Sequence, residues 1–322
     1  MKKTTTKQET KKTKSLIAKN SSITITIKKD EAKKNYQKSL KKLAKTVKAD
    51  GFRKGKTPLP VAEKMIGQAK IIDDAINAIL PLKYEEEIKK SKKKPISRPK
   101  FIAKSVEIDK DWIIEAQFAQ EPKIVLGSYK KHVVEGRKKA KARITKIEKD
   151  LKEGAAKEDK KKDKGKTPSS GRPSIPSKLT DKQKKDITLE SMIQELVAKV
   201  KPEIPEILVE EEVRQEWMHL NKTLSDAKMK VEDYLKQRQI TGDQLIQELT
   251  ARTLGRIQIN FILHEIVKEQ KIKASEADIK KKIEEIKDEK LRFQVEKSSR
   301  YQNHFRLVIE REKVIDYLES IK

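Results

Sequence analysis

A lysine-rich span near the middle of this chain limits what the rest can fold into. Between Tyr129 and Ile187 there are 21 Lys/Arg against 9 Asp/Glu, a net of +12, and the span includes KEDKKKDKGKTPSSGRPSIPSK. It holds no phenylalanine or tryptophan, and Tyr129 is its one tyrosine. Such a composition cannot bury enough apolar surface to offset its ordering entropy. Residues 154–186 are therefore expected to be a flexible linker, and residues 131–153 an exposed basic helix. A single core across 322 residues is excluded, so folded parts must lie on either side.

The remainder is apolar enough to build those parts. The chain is 35% apolar and 40% charged, with a formal net charge of +28. An excess of that size points to a polyanionic partner: nucleic acid, a ribonucleoprotein or an anionic membrane surface. There are no cysteines, which excludes disulfides and thiolate zinc sites. His132, His219, His264 and His304 are far apart in sequence and show no metal-ligand spacing. No Ser/His/Asp set and no glycine-rich cofactor fingerprint is present, so neither a catalytic group, a metal nor a cofactor is expected. The opening MKKTTTKQETKKTKSLIAK is basic but leads into no apolar run of signal-peptide length. No stretch approaches the roughly 20 apolar residues of a membrane span. A cytoplasmic protein is expected, with no membrane partner.

Residues 1–20 read as a disordered basic tail. Ser22–Lys28 then alternates strictly, placing Ile23, Ile25 and Ile27 on one face of a half-buried strand. Asp30 is placed to cap the helix that follows, which is expected to end near Gly51. Pro60 suits the first turn of a short helix closing at Gly67, and a longer helix buries Ile72, Ala75, Ile76, Ile79 and Leu80. Strands follow at Phe101–Glu107 and Asp111–Phe118, the second alternating through Trp112, Ile114, Ala116 and Phe118. Residues 21–128 thus form an α+β domain, residues 129–187 the basic helix and linker, and residues 188–322 an extended all-α domain. Within the last, Thr241–Gln244 and Ser275–Asp278 have capping-box spacing.

The stretch GFRKGKTP, Gly51–Pro58, looks almost like a phosphate-binding P-loop. It is one residue short, since only Phe52, Arg53 and Lys54 separate Gly51 from Gly55. Pro58 also biases Thr57 toward extended geometry where a P-loop helix would already run. What remains is a loop held by two glycines, presenting an aromatic and the cations Arg53, Lys54 and Lys56.

Asp50–Gly67, DGFRKGKTPLPVAEKMIG, resembles the signature loop and following helix of the trigger factor family, the ribosome-associated chaperones of bacteria. SITITIKKDEAKKNYQKSLKKLAKTVK and the strands after the loop are similar to that family's N-terminal domain. IPEILVEEEVRQEW, VEDYLKQRQITGDQLIQEL and EIVKEQKIKASEADIKKKIEEI are similar to its helical C-terminal domain. Together these cover roughly residues 20–128 and 188–322. In the family the loop is the ribosome-docking element, and its Phe-Arg-Lys core falls on Phe52, Arg53 and Lys54. The resemblance thus implies docking by Gly51, Phe52, Arg53, Lys54, Gly55 and Lys56 against a large-subunit protein and adjoining rRNA beside the exit tunnel. It further implies unfolded nascent polypeptides as clients and a homodimer away from the ribosome.

One departure is large. The family usually carries an FKBP-type prolyl isomerase domain between the two matched regions, and here the lysine-rich linker stands in its place. The expectation is a ribosome-associated chaperone assisting folding and export, and no enzyme. Two other readings stay open: a trigger factor-type prolyl isomerase, and a basic helical nucleic-acid-binding protein. The second accounts for the charge but not for the FRK loop between two glycines.

Overall fold

The computed structural model describes residues 16–48, 50–162 and 178–321. Its described elements, in chain order, begin with β1 (Ile17–Ala18), β2 (Ser21–Ile27), α1 (Lys29–Ala44), α2 (Leu59–Ile66) and α3 (Gln68–Ser91). Next come β3 (Lys100–Ser105), β4 (Trp112–Phe118), α4 (Tyr129–Lys162), α5 (Asp181–Val200) and β5 (Ile204–Pro205). The remainder is helical: α6 (Glu206–Asp226), α7 (Val231–Arg238), α8 (Gly242–Glu269), α9 (Glu276–Glu284), α10 (Glu289–Lys297) and α11 (Ser299–Ser320). The expected α+β region followed by an all-α region is therefore present. Two compact units emerge: residues up to Glu121 with Ile204–Thr250, and Pro122–Glu203 with the residues from Ala251 onward.

The first unit is built on an antiparallel sheet of order β2–β4–β3. Register pairs Ile23 with Ala116, Ile25 with Ile114 and Ile27 with Trp112, so the period-2 alternation of both strands points one way. Ile25, Ile27, Trp112, Ile114 and Ala116 are buried, and α1 and α3 cover them with Tyr36, Leu40, Ile71, Ala75 and Leu80, while Phe118 is buried beside Tyr84 of α3. Each large side chain so buried stabilises the unit by roughly 1.5–3 kcal/mol before entropy is charged.

Three local expectations are corrected. The cap of α1 does not come from Asp30: the Lys29 amide donates to Asp111 Oδ1 at 2.8 Å, and Asp30 sits in the first turn. The Asp111 carboxyl is held below the usual range by Lys28, then by that amide. Helix α1 stops at Ala44 rather than near Gly51, because Thr46 folds its hydroxyl back onto the Leu43 carbonyl at 2.7 Å. Residues 16–20, expected within the tail, are ordered: Ile17–Ala18 pairs in parallel with Ile204–Pro205, and Asn20 Oδ1 accepts the Ile207 amide at 2.8 Å. The apolar Leu16-Ile17-Ala18 triplet separates them from the residues before, which lie outside the described residues.

In the second unit α4 packs along α5. Their approach is set by Gly136, where a Cβ would lie 2.6 Å from Met192 Cα and 2.8 Å from the Ser191 carbonyl oxygen. Ion pairs line the seam: Arg143 with Glu190 at 2.9 Å, Lys184 with Glu148 at 2.9 Å, and Lys139 with Glu195. Val133, Met192, Leu196, Ile262, Ile266, Val314 and Leu318 join in one core beneath. The span expected as flexible linker is partly helical, α4 taking residues 154–162 and α5 taking 181–186, while 163–177 lie outside the described residues. A capping box starts α5, with Gln183 N donating to Thr180 Oγ1 and the Thr180 amide donating to Gln183 Oε1. The boxes expected at Thr241–Gln244 and Ser275–Asp278 both form.

Candidate functional site

The loop between α1 and α2 gathers every expected docking residue, since all six are consecutive. Gly51 and Gly55 adopt φ of 78° and 79°, in the left-handed region that a side chain makes costly. Gly55 is fixed twice: its amide donates to the Val47 carbonyl at 3.1 Å, and a Cβ there would meet the Lys45 carbonyl oxygen at 3.1 Å. Across the second glycine the Lys56 amide donates to the Arg53 carbonyl at 2.9 Å, closing a tight turn. The Pro58 carbonyl then accepts from Val61 and Ala62 at 3.0 and 2.9 Å, and α2 begins at Leu59.

The ends of this loop are anchored by packing. Tyr36 on α1 is buried, and its hydroxyl donates to the Glu63 carboxylate on α2 at 2.6 Å. Burial pushes the phenol well above its ordinary range, with the neighbouring carboxylate adding to the effect. The hydroxyl therefore stays protonated and keeps donating, which ties the helices on either side of the loop.

What the loop presents is charge with an apolar centre. Phe52 is 41% exposed, and Arg53, Lys54 and Lys56 are exposed without an acidic partner among the described residues. Thr57, by contrast, is buried, so its hydroxyl is not offered to a bound nucleotide as a P-loop requires. The arrangement can pair with phosphates or carboxylates while desolvating one aromatic ring. Two neighbours escaped the sequence reading: Val61 and Met65 lie one turn apart on α2 and are 39% and 54% exposed. Their spacing is what a buried stripe would also give, so sequence alone does not separate the two cases.

Elsewhere in the first unit an open cleft of about 510 Å³ is lined by Ile17, Val209, Val213, Trp217, Ile246 and Leu249. In the second, His264 and His304, distant in sequence, meet on the walls of one cleft of about 340 Å³. Among the described residues no cluster of three potential metal ligands occurs, and no helix is long and apolar enough to cross a membrane.

The fold defines the class first. It is similar, over 94% of this chain and 97% of the other, to a solved structure of the trigger factor chaperone described for promiscuous substrate recognition in folding and assembly, with a TM-score of 0.54 and 15% identity. Family models for the bacterial trigger factor protein and for its C-terminus match residues 7–153 and 173–319. The chain belongs to the trigger factor family. Trigger factors of Streptococcus pneumoniae strains Hungary19A-6 and CGSP14 are each 34% identical over 108 residues, 34% of this chain. The aligned segment spans 25% of the length of those relatives.

Proposed function

We propose that this chain is a ribosome-associated chaperone that docks through Gly51–Lys56 on the large subunit, beside the exit tunnel, and shields apolar segments of emerging polypeptides. The observation that carries this reading is the loop itself: two left-handed glycines hold Phe52, Arg53 and Lys54 outward with no acidic partner among the described residues. Charge-assisted contacts from the cations would fix the register, and Phe52 would supply a desolvated anchor. The cleft carrying Trp217 and Leu249 offers clients an apolar surface inside the same unit as the loop. The reading places the protein in the cytoplasm, where ribosomes translate.

The same reading gives it no prolyl isomerase activity. Only residues 154–172 lie between the two family matches, too few for a folded domain with a water-poor pocket for a twisted amide. The uncatalysed barrier of roughly 18–20 kcal/mol is not lowered by adaptable apolar surface alone.

The test is co-sedimentation with isolated large subunits. Replacing Phe52, Arg53 and Lys54 by alanine should weaken binding at least ~10-fold, since each charge-assisted hydrogen bond removed is worth roughly 1.5–3 kcal/mol before compensation. A folded triple variant that sediments as the parent does would remove the docking role. On the same preparations, aggregation of a denatured client should be suppressed while a proline-limited refolding phase matches the buffer blank. Catalysis of that phase would reinstate the isomerase reading.

A further inference from the structure

Helix α4 sorts its side chains into two faces, and most cations of the outer one make no ion pair among the described residues. Val133, Gly136 and Ala140 are buried, with Ile144, Ile147 and Leu151 half-buried, at the spacing of one helical stripe. Cations close to this stripe are neutralised across the seam, Lys139 by Glu195 and Arg143 by Glu190. Away from the stripe, Lys131, Lys138 and Lys146 on the far side and Lys130, Lys141 and Lys152 on its flank are exposed and make no ion pair among the described residues, Lys152 acting on Glu148 only at longer range. Lys149 belongs to the same face and is paired with Glu153 at 4.0 Å, while Glu135 at the edge lies 3.8 Å from His132. Like charges three residues apart, as at Lys138 and Lys141, repel and destabilise a helix slightly. The track from Lys131 to Lys152 runs about 31 Å at 1.5 Å per residue.

We propose that this outer face of α4 binds the phosphate backbone of duplex RNA, as a second contact separate from the Gly51–Lys56 loop. The chemistry of the face selects the partner class. It carries no large apolar side chain, since those of α4 turn toward α5, so it cannot insert into a lipid interface as a membrane-surface helix does. It carries no aromatic either, Tyr129 being buried, so it lacks the stacking platform that single strands require. A row of lysines without aromatics fits phosphates presented at regular spacing along a duplex, read by backbone and shape. The face itself asks only for phosphates. That they belong to RNA rests on the ribosome reading above.

The test uses the full chain with a 20-base-pair RNA hairpin, titrated at several salt concentrations. Changing Lys131, Lys138, Lys141, Lys146 and Lys152 to glutamine should weaken hairpin binding at least ~10-fold. It should also flatten the slope of log K against log salt by about 0.9 for each phosphate that is no longer neutralised. A control removes equal charge at Lys34, Lys41, Lys236, Lys280 and Lys281, which are exposed and unpaired among the described residues, and should change binding less than ~3-fold. The same five outer-face lysines changed to arginine should retain binding. If the glutamine variant does not fold, K138E with K141E gives the same reading with two changes. Equal losses in the face and control variants would overturn the proposal, because the effect would then be net charge alone. So would a face-dependent affinity greater for the matching DNA duplex, for oligouridine or for phosphatidylserine vesicles than for the hairpin. The loop triple variant should bind the hairpin within ~3-fold of the parent, so failure here and failure of ribosome docking are separately visible.

Discussion

The Gly51–Lys56 loop and helix α4 both turn cations to solvent, but they reach that state by different physics. In the loop the backbone does the work: two left-handed glycines, a turn at Arg53–Lys56 and the hydrogen bond from Gly55 to Val47 fix where the side chains leave. In α4 the backbone is an ordinary helix, and packing does the work. Which lysines face outward is decided by where Gly136 and Ala140 meet α5. A binding surface written into a loop is thus a local property of a few residues. One written onto a helix exists only once the neighbouring helix has docked.

The largest expected effect tests the helix side of that contrast. Gly136→Leu puts a side chain where Met192 Cα lies 2.6 Å from the added Cβ, so α4 and α5 must separate. A loss of about 2–3 kcal/mol in chemical denaturation is expected, with faster hydrogen exchange along Tyr129–Glu153. An unchanged midpoint would show that α5 does not hold α4 in place.

A smaller effect is expected from Gly55→Ala. A left-handed φ of 79° is costly for alanine, by about 1–2 kcal/mol, and the Lys45 carbonyl oxygen must give way at 3.1 Å. The loop should relax by leaving that conformation, so ribosome co-sedimentation should fall several-fold while exchange along α4 stays as in the parent. Loss of protection in both regions together would erase the distinction between local and packed surfaces.

The smallest effect is a pH dependence of the α4–α5 seam. The Glu148 carboxyl is held below the usual glutamate range, chiefly by the Lys184 ammonium 2.9 Å away. A folded pKa below the unfolded one means a stabilisation that is complete above the unfolded glutamate value. It fades as pH falls through and below that value of about 4.3. Protection of the seam should therefore weaken on acidification, and E148Q should remove part of that response. A parent and variant with superimposable pH profiles would show that this pair contributes nothing to the seam.

The same contrast explains what the sequence disclosed. Loop geometry was legible because it rests on Gly51, Gly55 and Pro58, whose backbone restrictions need no tertiary context. The sheet was legible for a similar reason, as Ile23–Ile27 and Trp112–Phe118 alternate with the strand period. Features decided by distant residues were not. Asp111 rather than Asp30 supports the start of α1 because the β4 end lies beside it. The start of α5 at Thr180 had a readable capping box, Thr180 to Gln183, but lysine-rich surroundings argued for a linker. Which lysines of α4 stand unpaired depends on Glu190 and Glu195, some fifty residues further along. The meeting of His264 and His304 has no sequence signature either.

The pairing of Ile17–Ala18 with Ile204–Pro205 sets an order of events during synthesis. Strands β2, β3 and β4 all lie between Ser21 and Phe118, so their sheet has every strand available once residue 118 has emerged. The partner of β1 does not yet exist at that moment. Asn20 and Ile207, which share a hydrogen bond, are 187 residues apart. At translation rates of about 5–20 residues per second that separation lasts about 10–40 s. For that interval β1 waits for β5. The sheet that carries the loop is then assembled before its own unit is closed.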